Sequence, residues 1–369
     1  MRLLNRYILK EIAAPSVLAF CVIAFMGVAN ELRERYEDLP VAYISLLDLM
    51  KLVFYFLPAV APIILFITYM MGILLAFVRF SQHNEITAMK AAGIPLKRMV
   101  MPVIAGGAFL TVASFLIQDC VQPWALNRAN ALVYRELPKR ITLDMLPVGV
   151  MHSYRNLRVY FGGKDAKTGT LRDIHIRDKT NDGRGRSYYA ESAQLITEPD
   201  ATSRLLMRRG RIIFPSIGGT IVSSQFSNFE FMIPPLSEQK IPGQRRMMPL
   251  TQLFKEEAIE EAEFRARPSD EAKSTLRKTR LEIKERIVWP MACLAVSLVA
   301  APLAVRGRRA GKSYSFAIGF TIGLVYFILT PLLEPRGLRP LAMVILRGLI
   351  PNVLFCLVGV WALWRVDRV

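Results

Sequence analysis

Residues 52–78 read LVFYFLPAVAPIILFITYMMGILLAFV, an apolar run with no Asp, Glu, Lys or Arg in it. About 20 apolar residues of helix cross the hydrocarbon core of a bilayer, so this run is long enough to span one. Working outward, five more runs near that length occur at residues 12–30, 99–118, 287–305, 314–333 and 341–364. Periodicity and length mark all six as candidate spans. Only the last holds an internal charge in its body, Arg347. Its place near one end favours snorkelling to the head groups over pairing or a functional cavity.

Composition agrees with this reading. Mean hydropathy is positive, at +0.31, yet 21% of residues are charged, which suggests apolar spans interleaved with a polar domain. The net charge of +18 first suggests a nucleic-acid partner. A nucleic-acid protein has no need of several spanning runs, whereas a membrane protein gathers Lys and Arg in cytoplasmic loops and near anionic head groups. No nucleic-acid partner is expected. Cys21, Cys120, Cys293 and Cys356 are scattered singly in or beside apolar runs, with neither CxxC nor Cys/His spacing, and read as small apolar residues rather than a disulfide or zinc framework. The first apolar run is long and has no small-residue cleavage site after it, unlike a cleavable signal peptide.

Orientation follows from the short loops. Arg2, Arg6 and Lys10 precede the first span; Arg79, Lys90, Lys97 and Arg98 separate the second and third; Arg306, Arg308, Arg309 and Lys312 separate the fourth and fifth; Arg365 and Arg368 follow the sixth. The first external loop instead sets Glu31, Glu34, Glu37 and Asp38 against Arg33 and Arg35. The positive-inside rule then places both termini in the cytoplasm.

Between the third and fourth spans lies a long polar insert on the opposite side from the termini. Its first part reads as short strands, for example Leu157-Arg158-Val159-Tyr160-Phe161, Ile174-His175-Ile176, residues 211–214 and residues 220–233. Gly162-Gly163-Lys164-Asp165, Asn181-Asp182-Gly183 and Gly218-Gly219 are read as the turns between them. Short strands with frequent turns favour a sandwich or jelly roll. Residues 249–286 turn helical and charged, broken once at Pro268-Ser269-Asp270, where Ser269 or Asp270 is positioned to cap the second piece. Leu276, Ile283 and Ile287 form one stripe leading into the fourth span, and the run at 256–263 reads as a solvated acidic face.

The search for catalysis comes up short. Gly307-Arg308-Arg309-Ala310-Gly311-Lys312-Ser313 resembles a phosphate-binding loop but is one residue short of GxxxxGK[ST], and it joins two spans rather than a strand to a helix. His83, His152 and His175 lack metal-ligand spacing. No GxSxG occurs, and no nucleophile has an identifiable base. Asp119 and Glu334 sit at span ends, where head-group or loop contacts explain them. No cofactor or metal is expected in this chain.

The informative loop is Ser81-Gln82-His83-Asn84-Glu85-Ile86-Thr87-Ala88-Met89-Lys90-Ala91-Ala92-Gly93. Ser81 or Asn84 suits the cap of a short helix, and Gly93 with Pro95 suits its end. Glu85 and Met89 share a face with Ile86 close by. An acidic residue beside an apolar knob in a basic loop suits a plug for a partner's groove; an amphipathic interfacial helix is the plainer alternative.

From Glu85 to Gly93 this loop resembles the coupling helix of the LptF/LptG permeases, membrane subunits of the lipopolysaccharide exporter. The opening Leu4-Asn5-Arg6-Tyr7-Ile8-Leu9-Lys10-Glu11 is similar to the family's N-terminus. So are Leu281-Glu282-Ile283-Lys284-Glu285-Arg286-Ile287-Val288-Trp289-Pro290, the Ala301-Pro302-Leu303 that follows, and the turn at 306–311. The resemblance implies an α-helical membrane protein with six transmembrane helices (3+3) and an inserted periplasmic β-jellyroll domain.

Its expected organisation is residues 1–121 for spans one to three, with the coupling helix at about 82–93; residues 122–250 for the β-domain; 251–286 for a charged connector; and 287–369 for spans four to six. It implies a bacterial inner-membrane location. The implied partners are a cytoplasmic ABC ATPase dimer that binds the ATP and Mg, a sister permease, a membrane-anchored periplasmic jellyroll protein, and lipopolysaccharide. Carried over, Glu85 sits in the ATPase groove with Ile86 and Met89 packing beside it, and Gly93 closes the helix.

Arg33 and Arg35, just outside the first span, are candidate contacts for lipopolysaccharide phosphates, or simply balance the neighbouring acids. The Glu85-Ile86-Thr87 wording leans towards the F-type subunit. Two other classes compete. Permeases of lipoprotein or peptide exporters more often have four spans per chain, and a membrane enzyme requires a catalytic constellation near a span end.

Overall fold

A computed structural model of the chain describes residues 2–35, 45–133, 148–149, 151–154, 157–165, 170–178, 185–197, 203–215, 221–233, 244–306, 312–335 and 337–366. It divides into two compact units. One comprises Met1–Arg33, Lys51–Arg128 and Gly243–Val369; the other comprises Glu34–Met50 and Ala129–Pro242.

Each of the six apolar runs forms its own helix. In chain order the helices are α1 (Arg2–Arg35), α2 (Leu46–Gln82), α3 (Glu85–Ala91), α4 (Leu96–Leu116), α5 (Gln122–Ala131), α6 (Leu250–Ala266), α7 (Asp270–Arg306), α8 (Lys312–Leu332) and α9 (Leu341–Val366). A π-helical turn, Ile117–Val121, joins α4 to α5, and a 3₁₀ turn, Gln244–Met247, precedes α6. Five helices, α1, α2, α4 with its continuation, α7 and α9, are long and apolar enough to cross a membrane; α8 adds the apolar stretch Gly319–Leu332.

The bundle is apolar inside and out. Ile8 and Ile12 of α1, Phe66, Ile73 and Phe77 of α2, Val100 and Val103 of α4, and Cys293 and Val296 of α7 are buried in one core. Phe25, Met26, Phe109, Phe320, Leu346 and Trp361 point outward and are exposed. A helix apolar on every side needs a nonpolar surround, which a bilayer supplies.

Two helices outrun their spans. Glu31, Arg33, Glu34 and Arg35 belong to the end of α1, not to a loop, because no Gly or Pro interrupts residues 28–35. Likewise α7 joins the second half of the charged connector to the fourth span without a break. Its start is capped as the sequence suggests: the Ala272 N–H donates to Ser269 Oγ at 3.1 Å. Leu276 and Ile283 are fully buried on its stripe. The phosphate-loop lookalike at 307–311 lies outside the described residues.

In the second unit, strands β1 (Met151–Tyr154), β2 (Leu157–Lys164), β3 (Leu171–Asp178), β4 (Arg186–Thr197), β5 (Ser203–Pro215) and β6 (Ile221–Ile233) pair in sequence order, each antiparallel to the next. One face carries the core: Val159, Phe161, Ile174, Ile176, Leu205 and Met207 are buried, and Arg158, Tyr160, His175 and Arg177 alternate with them. This inserted antiparallel sheet is the β-jellyroll-like domain expected between the helices.

Gly162-Gly163 proves to be strand rather than turn, since β2 continues to Lys164. The register explains the glycine. Phe161 pairs with Ile174 and Gly163 with Arg172, so Gly162 stands opposite Asp173, whose φ of 52° is left-handed. A Cβ on Gly162 would stand 2.7 Å from the Asp173 Cβ, so only glycine admits this close approach. The other two expected turns, at 181–183 and 218–219, lie outside the described residues.

Candidate functional site

The short helix α3 leaves α2 through Asn84, whose φ of 55° is left-handed. Asn tolerates that conformation, and the reversal it makes takes the place of the expected side-chain cap: no side-chain cap hydrogen bond forms at this helix start. At the other end Gly93, with φ of +78°, donates its N–H to the Lys90 carbonyl at 3.0 Å, and the Ile94 N–H reaches Met89 O at 3.0 Å. That glycine ends the helix as expected.

The side chains of α3 divide in a way the sequence did not reveal. Ile86 is 5% exposed and belongs to the core of the bundle. Met89 packs against the same core. Both therefore anchor α3 to its own chain rather than projecting as knobs. Thr87, Ala88, Lys90 and Ala91 are exposed. Glu85 is half-buried, and the Tyr7 hydroxyl of α1 donates to its carboxylate at 2.9 Å. One turn further along α1, Glu11 pairs with Arg79 at the end of α2.

The opposite end of α1 reaches a second constellation, a belt of ion pairs around the start of α7. Residues 7 and 31 are separated by about 36 Å at the helical rise, comparable with a membrane's thickness. Glu31 pairs with Arg246 of the 3₁₀ turn at 3.1 Å. Arg245 pairs with Glu260 at 3.1 Å and donates from Nε to Thr279 Oγ1 at 2.6 Å. Arg280 donates to Glu257 at 2.6 Å, to Glu261 at 2.9 Å and to the Arg339 carbonyl at 2.7 Å. Arg286 donates to the carbonyls of Met248 and Arg245 and to Glu282 at 3.2 Å.

Asp119 and Glu334, read as head-group or loop contacts, join this belt. Asp119 accepts the Leu250 N–H at 2.6 Å, and Glu334 pairs with Lys284 at 3.4 Å. The acidic run at 256–263 is also not a solvated face throughout: Glu257 and Glu260 are each 8% exposed. Glu257, Glu260 and Glu261 fall on one side of α6, where Arg280 of α7 and Arg245 of the 3₁₀ turn meet them. Hydrogen bonding to Arg265, and the nearby Arg280 charge, hold the Glu261 carboxyl below its ordinary range.

Arg33 is different. It is exposed at the end of α1, and among the described residues it has no carboxylate partner, because Glu31 turns to Arg246 instead. The Arg35 side chain lies outside the described residues.

A family model described as "Lipopolysaccharide export system permease LptF/LptG" matches residues 6–365. The chain belongs to this family. A comparison with curated proteins finds no match. The family is one of transport permeases, and its assignment makes the chain a multi-pass membrane protein and a lipopolysaccharide-export permease subunit. In these LptF/LptG terms the sheet is the domain inserted between two sets of three apolar helices.

Proposed function

We propose that this chain is the permease subunit of an ATP-driven exporter in the bacterial inner membrane. It extracts lipopolysaccharide and passes it to a periplasmic β-jellyroll bridge. Both termini are cytoplasmic, and the sheet domain is periplasmic. ATP and Mg are bound by a cytoplasmic ABC ATPase dimer, and a sister permease and a membrane-anchored jellyroll protein complete the assembly. The Glu85-Ile86-Thr87 wording favours the F-type subunit.

The observation that carries this reading is the mounting of α3. Ile86 and Met89 fix it to the bundle, while Glu85 is held at its start by Tyr7 of another helix. A push on Glu85 by the ATPase then reaches α1 and the core directly, instead of being lost in a loose loop. Arg79, Lys90, Lys97 and Arg98 around α3 support a cytoplasmic side. Arg33, without a carboxylate partner among the described residues, supports a lipopolysaccharide phosphate contact with its neighbour Arg35.

Co-purification of the tagged protein in mild detergent, with mass spectrometry of bound proteins and lipids, tests the proposal. Recovery of an ABC ATPase, a sister permease and lipopolysaccharide is the expected result. An ATPase accompanied by a different lipid or a lipoprotein overturns the substrate, and absence of any ATPase overturns the permease mechanism.

A further inference from the structure

The face of the sheet opposite its apolar core carries two adjacent rows of directly paired residues. The first runs Tyr160, His175, Tyr189, Arg211, Gln225 across β2 to β6. The second runs Arg158, Arg177, Ser187, Ile213 across β2 to β5. In the first row the His175 and Tyr189 rings stack at 4.3 Å and 9°, and the Arg211 guanidinium lies 5.2 Å from the centre of the Tyr189 ring. Such stacking fixes the stem of an arginine while leaving the N–H edge of its fork open to an oxyanion.

The second row opposes Arg158 to Arg177. Like charges directly across a sheet are destabilising, so an anion between them relieves the pair. Three carboxylates of the sheet pair with other arginines: Asp165 faces Arg172 at 3.8 Å, Glu191 faces Arg209 at 3.7 Å, and Glu230 pairs with Arg204 at 3.1 Å. Among the described residues Arg158, Arg177 and Arg211 have no carboxylate partner. Arg177 and Arg211 stand on strands two apart, about 10 Å at sheet spacing. That gives two cationic positions separated by the hydroxyl and imidazole groups of Tyr189 and His175.

We propose that this face is a binding site for a phosphorylated saccharide, the polar part of the exported glycolipid. Arg158 and Arg177 hold one phosphate, Arg211 holds a second, and Tyr160, Tyr189 and Gln225 meet the sugar hydroxyls, with His175 stacked beneath as support. The proposal rests on the lipopolysaccharide-permease reading and adds a place for the head group. Paired cations with ring hydroxyls and an amide suit a saccharide better than a bilayer surface, which favours exposed apolar side chains beside the cations. In these rows only Ile213 is a large aliphatic residue, and it is half-buried.

The test uses the full chain with its partner chains in nanodiscs of phosphatidylglycerol and phosphatidylethanolamine, loaded with lipopolysaccharide. Tyr160→p-benzoylphenylalanine is irradiated during ATP turnover, and adducts are separated by mass. A lipopolysaccharide adduct is expected, falling at least fivefold in an Arg177→Gln/Arg211→Gln background and with dephosphorylated lipopolysaccharide. Unfolding temperature should not fall, because both arginines lie off the core face and Arg177→Gln relieves a like-charge pair; Arg211→Lys, which keeps the charge but loses the fork, should give an intermediate yield. An adduct indifferent to both changes overturns the site, as does an adduct with phospholipid alone. Normal ATP-driven lipopolysaccharide extraction without any adduct overturns this site and leaves the permease reading intact. Absence of lipopolysaccharide extraction and binding altogether overturns both.

Discussion

The Tyr7 hydroxyl and the Glu85 carboxylate meet at 2.9 Å, joining the beginning of α1 to the beginning of α3. Glu85 is thereby oriented by a group outside its own loop, and α1 is the helix whose far end carries Glu31 into the belt around α7. A load applied at α3 has a direct route to the other end of the bundle along one helix, which continues through Pro15 from Arg2 to Arg35.

Glu85→Gln should therefore uncouple transport from ATP hydrolysis while leaving the fold intact. On the coupling role proposed for Glu85, we expect lipopolysaccharide release per ATP hydrolysed to fall at least tenfold, since a charge paired in a closed interface is worth several times a surface pair. Tyr7→Phe removes only the orienting bond, about 1 kcal/mol, and should lower coupling a few-fold. Equal effects from the two variants would contradict the division of roles. Release and hydrolysis measured in the same nanodisc preparation give the ratio.

Arg280 and Glu257 form the most enclosed ion pair of the belt, with side chains 6% and 10% exposed. Removing one partner strands the other in a poorly hydrated site. Arg280→Met is expected to destabilise the chain by about 3–5 kcal/mol, and the Arg280→Met/Glu257→Met double variant by clearly less. Thermal unfolding of the four members of this cycle in detergent checks it; a double variant worse than either single one would contradict the coupling of the pair.

Much of this architecture is legible from composition because a bilayer imposes a length on each apolar run. The six runs lie on six helices for that reason, and the alternation of Leu157, Val159 and Phe161 with Arg158 and Tyr160 announces a strand with one buried face. The belt was hidden for the complementary reason. Acids in a run such as 256–263 look the same whether they face water or an arginine from another helix, and the partners Arg245 and Arg280 are set by tertiary packing. At α3 the residue types were informative and their directions were not: seven residues give too little periodicity to tell that Ile86 points into the bundle. Gly162 misled because glycine serves a close cross-strand approach as readily as a turn.

Within the bundle, the Tyr326 hydroxyl donates to Asn352 Oδ1 at 3.0 Å, and Asn352 Nδ2 donates to the Val288 carbonyl at 3.0 Å. This ties α7, α8 and α9 together through one buried amide. Asn352→Leu leaves the tyrosine hydroxyl without its acceptor, and we expect a loss of about 1–2 kcal/mol, modest because polar groups in membranes find alternative partners when unfolded. Tyr326→Phe should cost less, and combining the two should add little to Asn352→Leu alone. Unfolding in a graded detergent series reads all three.

His175 gives the sheet domain a pH dependence of known sign. Burial, and then the neighbouring Arg177, push its imidazole below the ordinary 6.5. Arg211 and Arg158 add positive charge on the same face, with Tyr160 and Tyr189 as its neutral flanking groups on the adjacent strands. The unfolded chain therefore binds a proton before the folded one does. The stabilisation is fully present above 6.5 and is lost as pH falls below that value and through the lowered folded one. Hydrogen exchange of the β3 and β4 amides should show protection decreasing between about pH 7.5 and 5 relative to a His175→Gln variant compared at each pH. Parallel behaviour of the two proteins would mean that His175 titrates freely despite the stack. A variant that loses protection at low pH more steeply than the parent would place the sensitive group elsewhere in the sheet.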